Sequence, residues 1–274
     1  MKLTSTLHKI TAMLLCAICL ISLAGCAVSD SFYASDTPED EAAAVDAPTA
    51  SPTAAPTPTA APTADASEDF EPSEELPLSE AARAITDCAT AQKTTQIVLV
   101  VGHNLTTWEK NADGSWSQLM DVYCGYGSNG LADAETRVEG SKTTPIGVFP
   151  LTLAFGTAEN PGTAMEYRVA TADSYWSAEN DSTYNTWVES STYIEGEHLI
   201  DYYQYKYALA VGFNIDPTVY GRGSAIFVHC KSTDHWSTAG CVSLYESDMV
   251  ELLCWLKTGA YIIIVPDLSY VSQY

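Results

Sequence analysis

Positive charge is scarce in this chain: 12 Lys and Arg stand against 35 Asp and Glu in 274 residues, a formal net charge of -23. A chain of that sign repels phosphate backbones, which excludes nucleic acid as a partner. Long apolar runs are scarce too. Ile10 to Leu23 is apolar but shorter than the roughly 20 residues that a transmembrane helix needs. Cysteine is sparse, with 8 in the chain. Cys16 and Cys19 lie in the N-terminal apolar run and Cys26 directly after it, which leaves Cys88, Cys124, Cys230, Cys241 and Cys254. That odd remainder leaves at least one thiol unpaired in an exported domain. Cys88 with Cys124 stays open as a disulfide, and the helical pattern around Cys254 predicts a core position for it.

The N-terminus reads as a targeting segment. Lys2 and Lys9 supply a positive region ahead of Ile10 to Leu23, which has signal-peptide length. Leu23-Ala24-Gly25-Cys26 resembles a lipobox. That resemblance implies removal of residues 1–25 and a diacylglycerol on the sulfur of Cys26, enough acyl chain for stable attachment to a membrane.

Residues 26–78 form an acidic linker. Pro48, Pro52, Pro56, Pro58 and Pro62 alternate with Thr and Ala, a composition that favours extended polyproline II over a packed core. Acidic residues flank this stretch, and no Lys or Arg occurs between Lys9 and Arg83. At about 3.1 Å per residue the tether would reach on the order of 150 Å.

From Ser79 onward the patterning is that of one folded domain, residues 79–274. Ser79 to Gln92 predicts a short helix with Ala82, Ile85 and Cys88 on one side. Short β patterns follow. Gln96 to Val101 is apolar and β-branched, and Asn111-Ala112-Asp113-Gly114 is a hairpin turn between Leu105–Lys110 and Ser115–Cys124. Ala208 to Asn214 and Tyr261 to Val265 read as further strands. Between them, Tyr167 to Ile200 sets Tyr175, Trp176, Tyr184, Trp187 and Tyr193 among polar residues, which suits either a groove wall or a core closure. Glu246 to Lys257 has apolar residues at helical spacing and Gly259 as a stop.

The chemistry-bearing stretch is Ala225-Ile226-Phe227-Val228-His229-Cys230, followed by Ser237-Thr238-Ala239-Gly240-Cys241-Val242-Ser243-Leu244. A thiol with a pKa of roughly 8.5 is mostly protonated at neutral pH, and a neighbouring imidazole activates it by taking the proton. Cys241 is the candidate nucleophile and His229 the candidate base. His198 is a rival base with no nucleophile near it in sequence. Gly240 allows a sharp turn, and the backbone N–H groups of Gly240 and Cys241 are expected to hold an oxyanion. Strand alternation sets Ala225, Phe227 and His229 on one face, with Ile226, Val228 and Cys230 on the other. A zinc site using His229, Cys230, His235 and Cys241 therefore fails, because neighbouring strand residues cannot share one ion. The carbonyl of Cys230 is free to orient the imidazole. If the N-terminus of the following helix lies near Cys241, its dipole would favour the thiolate, and Ser243 with Glu246 would form a capping box.

The order of these elements resembles the L,D-transpeptidase (YkuD-like) family, whose histidine-ended strand is followed by a Ser/Thr-His-Gly-Cys turn. Thr144-Pro145-Ile146-Gly147-Val148-Phe149 is similar to the Thr-Pro-x-Gly-x-Phe element that precedes that turn. Ala239 replaces the family's second histidine, and Ser243 stands where Arg or Asn is usual. The resemblance implies a mainly β fold, a β-sandwich of mixed sheets with a helix after the catalytic cysteine. It implies attack by Cys241 on peptidoglycan stem peptides, as donor and acceptor, through a thioester, to form 3-3 cross-links with no cofactor or metal. Ser243, Thr238, Tyr184 and Trp187 are the candidate substrate-binding residues, and carbapenem-type β-lactams the expected inhibitors. Two other readings stand beside this one: an L,D-carboxypeptidase using the same pair, and a silent cell-wall-binding lipoprotein. Lipid on Cys26 would place the domain outside the cell membrane.

Overall fold

The computed structural model describes residues 78–274. The expected signal segment, Cys26 and the linker as far as residue 77 lie outside the described residues.

The described residues begin with α1 (Leu78–Asp87), shorter than predicted because the helix breaks at Cys88 before a 3-10 turn, Ala89–Gln92. Thirteen strands follow among the described residues, as predicted mainly β: β1 (Gln96–Val101), β2 (Asn104–Lys110), β3 (Trp116–Tyr123), β4 (Leu131–Asp133) and β5 (Thr144–Gly156) come first. Next are β6 (Tyr167–Val169), β7 (Ser174–Ser177), β8 (Trp187–Glu189), β9 (Gly196–His198) and β10 (Ala208–Val211). Then come β11 (Phe227–Cys230), β12 (Val242–Leu244), α2 (Glu246–Trp255) and β13 (Tyr261–Val265).

Ten strands make one mixed sheet in the order β12-β11-β10-β5-β13-β1-β2-β3, with β4 and β6 also on β5. The long strand β5 is its spine. Through Gly147–Pro150 it pairs with β13, and beyond Pro150 it pairs with β10. The sheet folds over along this strand, so Val98, Val100, Ile262 and Ile264 from one half share a core with Leu209, Val228, Cys230 and Val242 from the other. α2 closes that core with Met249, Leu252 and Leu253. β1 and β13 run parallel and are buried on both faces, which is why they read as unbroken apolar runs rather than alternating ones. Their outer face carries Ile97, Leu99, Ile263 and Val265 under Ala81 and Ile85 of α1.

A separate small sheet, β8-β7-β9, provides Trp176. It stacks on Phe155 and meets Phe227 edge-on, within a third cluster that includes Tyr205, Leu199 and Cys241. The small sheet therefore covers the face of β10 and β11 that carries the candidate site.

Two cysteine expectations change. Cys88 and Cys124 are both free and sit in different core clusters on the two faces of β1, Cys88 with Ile97 and Leu99 and Cys124 with Val98 and Val100. Cys254 is exposed, its thiol donating to Pro161 O at 3.2 Å, because α2 turns that side outward.

Candidate active site

β11 and β12 are parallel neighbours, with Val228 opposite Val242 and His229 opposite Ser243. Paired residues share a face, so the residue before Val242 comes beside Phe227 and on the side of His229. The thiol of Cys241 is found there. Its Sγ accepts the Phe227 N–H at 3.3 Å and donates to Ala225 O at 3.2 Å. The strand starts at Phe227 rather than Ala225, since Ala225 has φ +52° and lies in a turn. That turn aims its carbonyl at the thiol.

His229 is buried, and its Nδ1 lies 2.8 Å from Cys230 O. A carbonyl only accepts, so Nδ1 carries the proton and Nε2 is left as the basic nitrogen. The ring of Tyr205 meets the imidazole edge-on at 5.6 Å. Cys230 points the other way, as strand alternation predicts: its thiol lies in the main core and donates to Tyr207 O at 3.6 Å.

Electrostatics make the resting pair neutral. Burial pushes the His229 imidazole down to about 4, against a smaller upward pull from the Cys230 carbonyl. Burial pushes the Cys241 thiol up to about 12, opposed by the Phe227 amide and by the guanidinium of Arg137. Imidazole and thiol are the stable forms here, and proton transfer has to accompany attack on a bound carbonyl.

Three structural details hold the turn before Cys241. Thr238 Oγ1 donates to Cys241 O at 2.6 Å and accepts the Gly240 N–H at 3.1 Å. Thr144 Oγ1 donates to Gly240 O at 2.7 Å and accepts the Gly127 N–H at 2.9 Å, so the Thr-Pro element anchors the nucleophile turn. Gly240 has φ +146°, and a Cβ there would come within 3.0 Å of Thr143 O and 3.1 Å of Ile226 Cδ1. These contacts correct the Gly240 half of the expected oxyanion hole: its amide is spent inside the turn on Thr238, whose hydroxyl follows the short Thr-x-Gly spacing.

α2 starts at Glu246, beyond the extended strand β12, so its N-terminus lies about 10 Å or more along the chain from Cys241. The expected dipole support for a thiolate is therefore weak. Ser243 is no capping residue either, since Tyr245 is the N-cap and Ser243 Oγ donates to Trp236 O at 2.7 Å. It pins the loop between β11 and β12 instead.

A cleft of about 410 Å³ opens over His229 and is lined by Glu197, Tyr205, Lys142, His235 and Thr238 among others. Neither Tyr184 nor Trp187 borders it. Tyr184 is buried and donates to Glu139, while Trp187 packs edge-on against Phe155. His198 sits on β9 between Asp201 and Ala172 O, stacked on Tyr175. Among the described residues no three His, Cys, Asp or Glu side chains group as a metal site would.

A family model for the L,D-transpeptidase catalytic domain, YkuD, matches residues 93–265. The chain belongs to the YkuD family. The match runs from just before β1 to the end of β13, and so takes in the Thr144 element, His229 and Cys241. Curated proteins give no match. Among solved structures, the helical cell shape determining protein Pgp2 from Campylobacter jejuni is 14% identical, with 63% of this chain and 48% of that chain covered and a TM-score of 0.37. L,D-transpeptidase 1 from Mycobacterium tuberculosis is 15% identical, covering 62% of each chain at a TM-score of 0.31. An L,D-transpeptidase (Yku) from Stackebrandtia nassauensis is 15% identical, covering 69% of this chain and 65% of that one at 0.32. The YkuD chain described here thus spans less than two thirds of each of these proteins.

Sequence reasoning expected His229 and Cys241 on one face and the imidazole against the Cys230 carbonyl, and the structure has both arrangements. It missed Tyr205 against the imidazole and Glu197 in the cleft. It also missed Arg137, which donates to Thr143 O and Arg222 O and lies over the Phe213 ring. These three come from segments whose sequence carries no motif.

Proposed function

We propose that this YkuD protein is a cysteine-dependent L,D-transpeptidase of the cell wall. The observation that carries the reading is the placement of Cys241 and Nε2-basic His229 on one face of parallel strands β11 and β12, with His229 lining an open cleft. A stem tetrapeptide binds in the cleft with the carbonyl of its L-centre toward Cys241. The thiol proton passes to His229 Nε2 as sulfur attacks, and the same proton is delivered to the amine of the departing D-alanine, leaving a thioester. An amine on a second stem then attacks the thioester carbonyl, the C–S bond breaks, and sulfur regains a proton. A 3-3 cross-link results. The donor peptide bond supplies the energy, so the residues present suffice.

The acidic tether and Cys26 fit a domain carried on the outer face of the cell membrane and reaching into the wall. Fractionation tests this: wild type partitions with membranes and Cys26→Ser with the soluble fraction, whereas a membrane-bound Cys26→Ser protein rules the anchor out.

The reaction is tested by incubating the protein with a disaccharide-tetrapeptide and separating the products. Cross-linked dimer with released D-alanine is expected. Trimmed tripeptide alone would assign the carboxypeptidase outcome, and absence of any thioester on Cys241 by intact-protein mass spectrometry would overturn the enzyme reading.

A further inference from the structure

Glu197 is the one carboxylate among the residues lining the cleft, which His229 also lines, and it comes from β9 of the small covering sheet. Its Oε2 accepts from Tyr205 Oη at 3.2 Å, and the same Tyr205 ring rests edge-on against His229 and Phe227. One aromatic side chain therefore separates this carboxylate from the base. Among the described residues no Lys, Arg or His forms an ion pair with it. A neutral amide would accept the Tyr205 hydroxyl equally well, so among the described residues no partner requires the negative charge, which is held in the cleft at a desolvation cost.

A half-desolvated carboxylate facing a cleft is matched by a cation that arrives with the substrate. We infer that Glu197 receives the acceptor, binding its primary ammonium group beside the thioester and taking the first of its protons. This inference rests on the transpeptidase reading above and deepens it, since it names the residue that receives and selects the acceptor amine. Attack needs a neutral amine. The ammonium gives one proton to Glu197, which passes it to water. The amine then attacks the thioester carbonyl, its second proton goes to His229 Nε2, and His229 returns that proton to the departing sulfur of Cys241. Burial raises the Glu197 carboxyl above the usual carboxylate range, which makes it a better base for this transfer than an exposed glutamate. The carboxylate also bears on Cys241 and opposes its ionisation, so an acceptor ammonium that neutralises Glu197 removes that opposition during the second half of the cycle.

The test measures how the acyl-enzyme partitions. Full-length wild type, Glu197→Gln and Glu197→Asp are acylated with the tetrapeptide donor, and then offered water alone, a stem tripeptide with a free side-chain amine, or hydroxylamine, which is neutral at pH 7.5. In Glu197→Gln the ratio of tripeptide transfer to hydrolysis is expected to fall tenfold or more, while the ratio for hydroxylamine changes less than twofold. Glu197→Asp, which keeps the charge, is expected to lie between. An unchanged tripeptide ratio in Glu197→Gln overturns the inference, and so does an equal fall for both nucleophiles, which marks a structural effect. Failure of wild type to form any thioester would instead overturn the underlying reaction, and shows itself before the acceptors are added.

Discussion

The imidazole of His229 is held by the backbone of the very next residue, with Nδ1 donating to Cys230 O at 2.8 Å. No third side chain is required to set the tautomer. Mutation of the Cys230 side chain cannot remove this hydrogen bond, whereas anything that moves the end of β11 will.

Cys241→Ala is expected to abolish turnover and to take up no acyl donor or carbapenem by intact-protein mass spectrometry. His229→Ala is expected to lower the acylation rate by about 10²–10⁴-fold, the usual range for losing a general base. An adduct persisting in Cys241→Ala would show that another residue is the nucleophile.

Acylation should fall at low pH with a midpoint near 4, where His229 takes up its proton and can no longer accept one from the thiol. Stability follows the same group. The unfolded histidine, at about 6.5, binds more protons than the folded one between that pH and about 4, so the stability due to neutral His229 is complete above pH 6.5 and lost as pH falls through this window. The loss is on the order of 3 kcal/mol. Denaturant titrations of wild type and His229→Gln across this window check it, with the variant showing the flatter pH profile.

Thr144→Val removes a buried hydroxyl that both accepts from Gly127 and donates to Gly240. Two backbone groups lose their partner, so the expected cost is about 1–3 kcal/mol for each group left unsatisfied. Because Gly240 precedes the nucleophile, the acylation rate should fall as well. Urea midpoints and acylation kinetics of one preparation measure both. A stable but inactive variant would assign Thr144 to positioning of the turn more than to folding.

Cys230→Ala should keep most of its acylation rate. Its side chain belongs to the core with Val228 and Leu244, and only its carbonyl meets His229. The expected effect is on stability, about 1 kcal/mol or somewhat more from the lost sulfur volume. A non-reducing peptide map should show no Cys230–Cys241 link, since the two thiols lie on opposite faces of the sheet.

Gly240→Ala is expected to inactivate. The new Cβ would be forced against Thr143 O and Ile226 in a backbone region that costs roughly 1–3 kcal/mol for a residue with a side chain. Circular dichroism would show the fold retained while the carbapenem adduct fails to appear.

The amino-acid sequence by itself determined what is local and periodic. Gln96–Val101 and Tyr261–Val265 are read correctly as strands because β-branched runs buried on both faces have no competing pattern. His229 and Cys241 are legible as a candidate pair because a histidine on a strand and a cysteine after Gly are marked by residue type, and the alternation that separates Cys230 from them is a property of any strand. Only the tertiary structure decided which distant groups share their space. Glu197, Tyr205 and Arg137 reach the site from three separate segments, through the fold of the sheet along β5 and the placement of the small sheet over β11. The neutrality of the resting pair was also decided there. A free cysteine and histidine suggest an ion pair, but burial penalises both charged forms, and the depth of burial depends on what packs above the strand. The Gly240 amide shows the same division. Its glycine is visible in the sequence, yet its commitment to Thr238 follows from the closed geometry of the turn, which the contact from Thr144 completes.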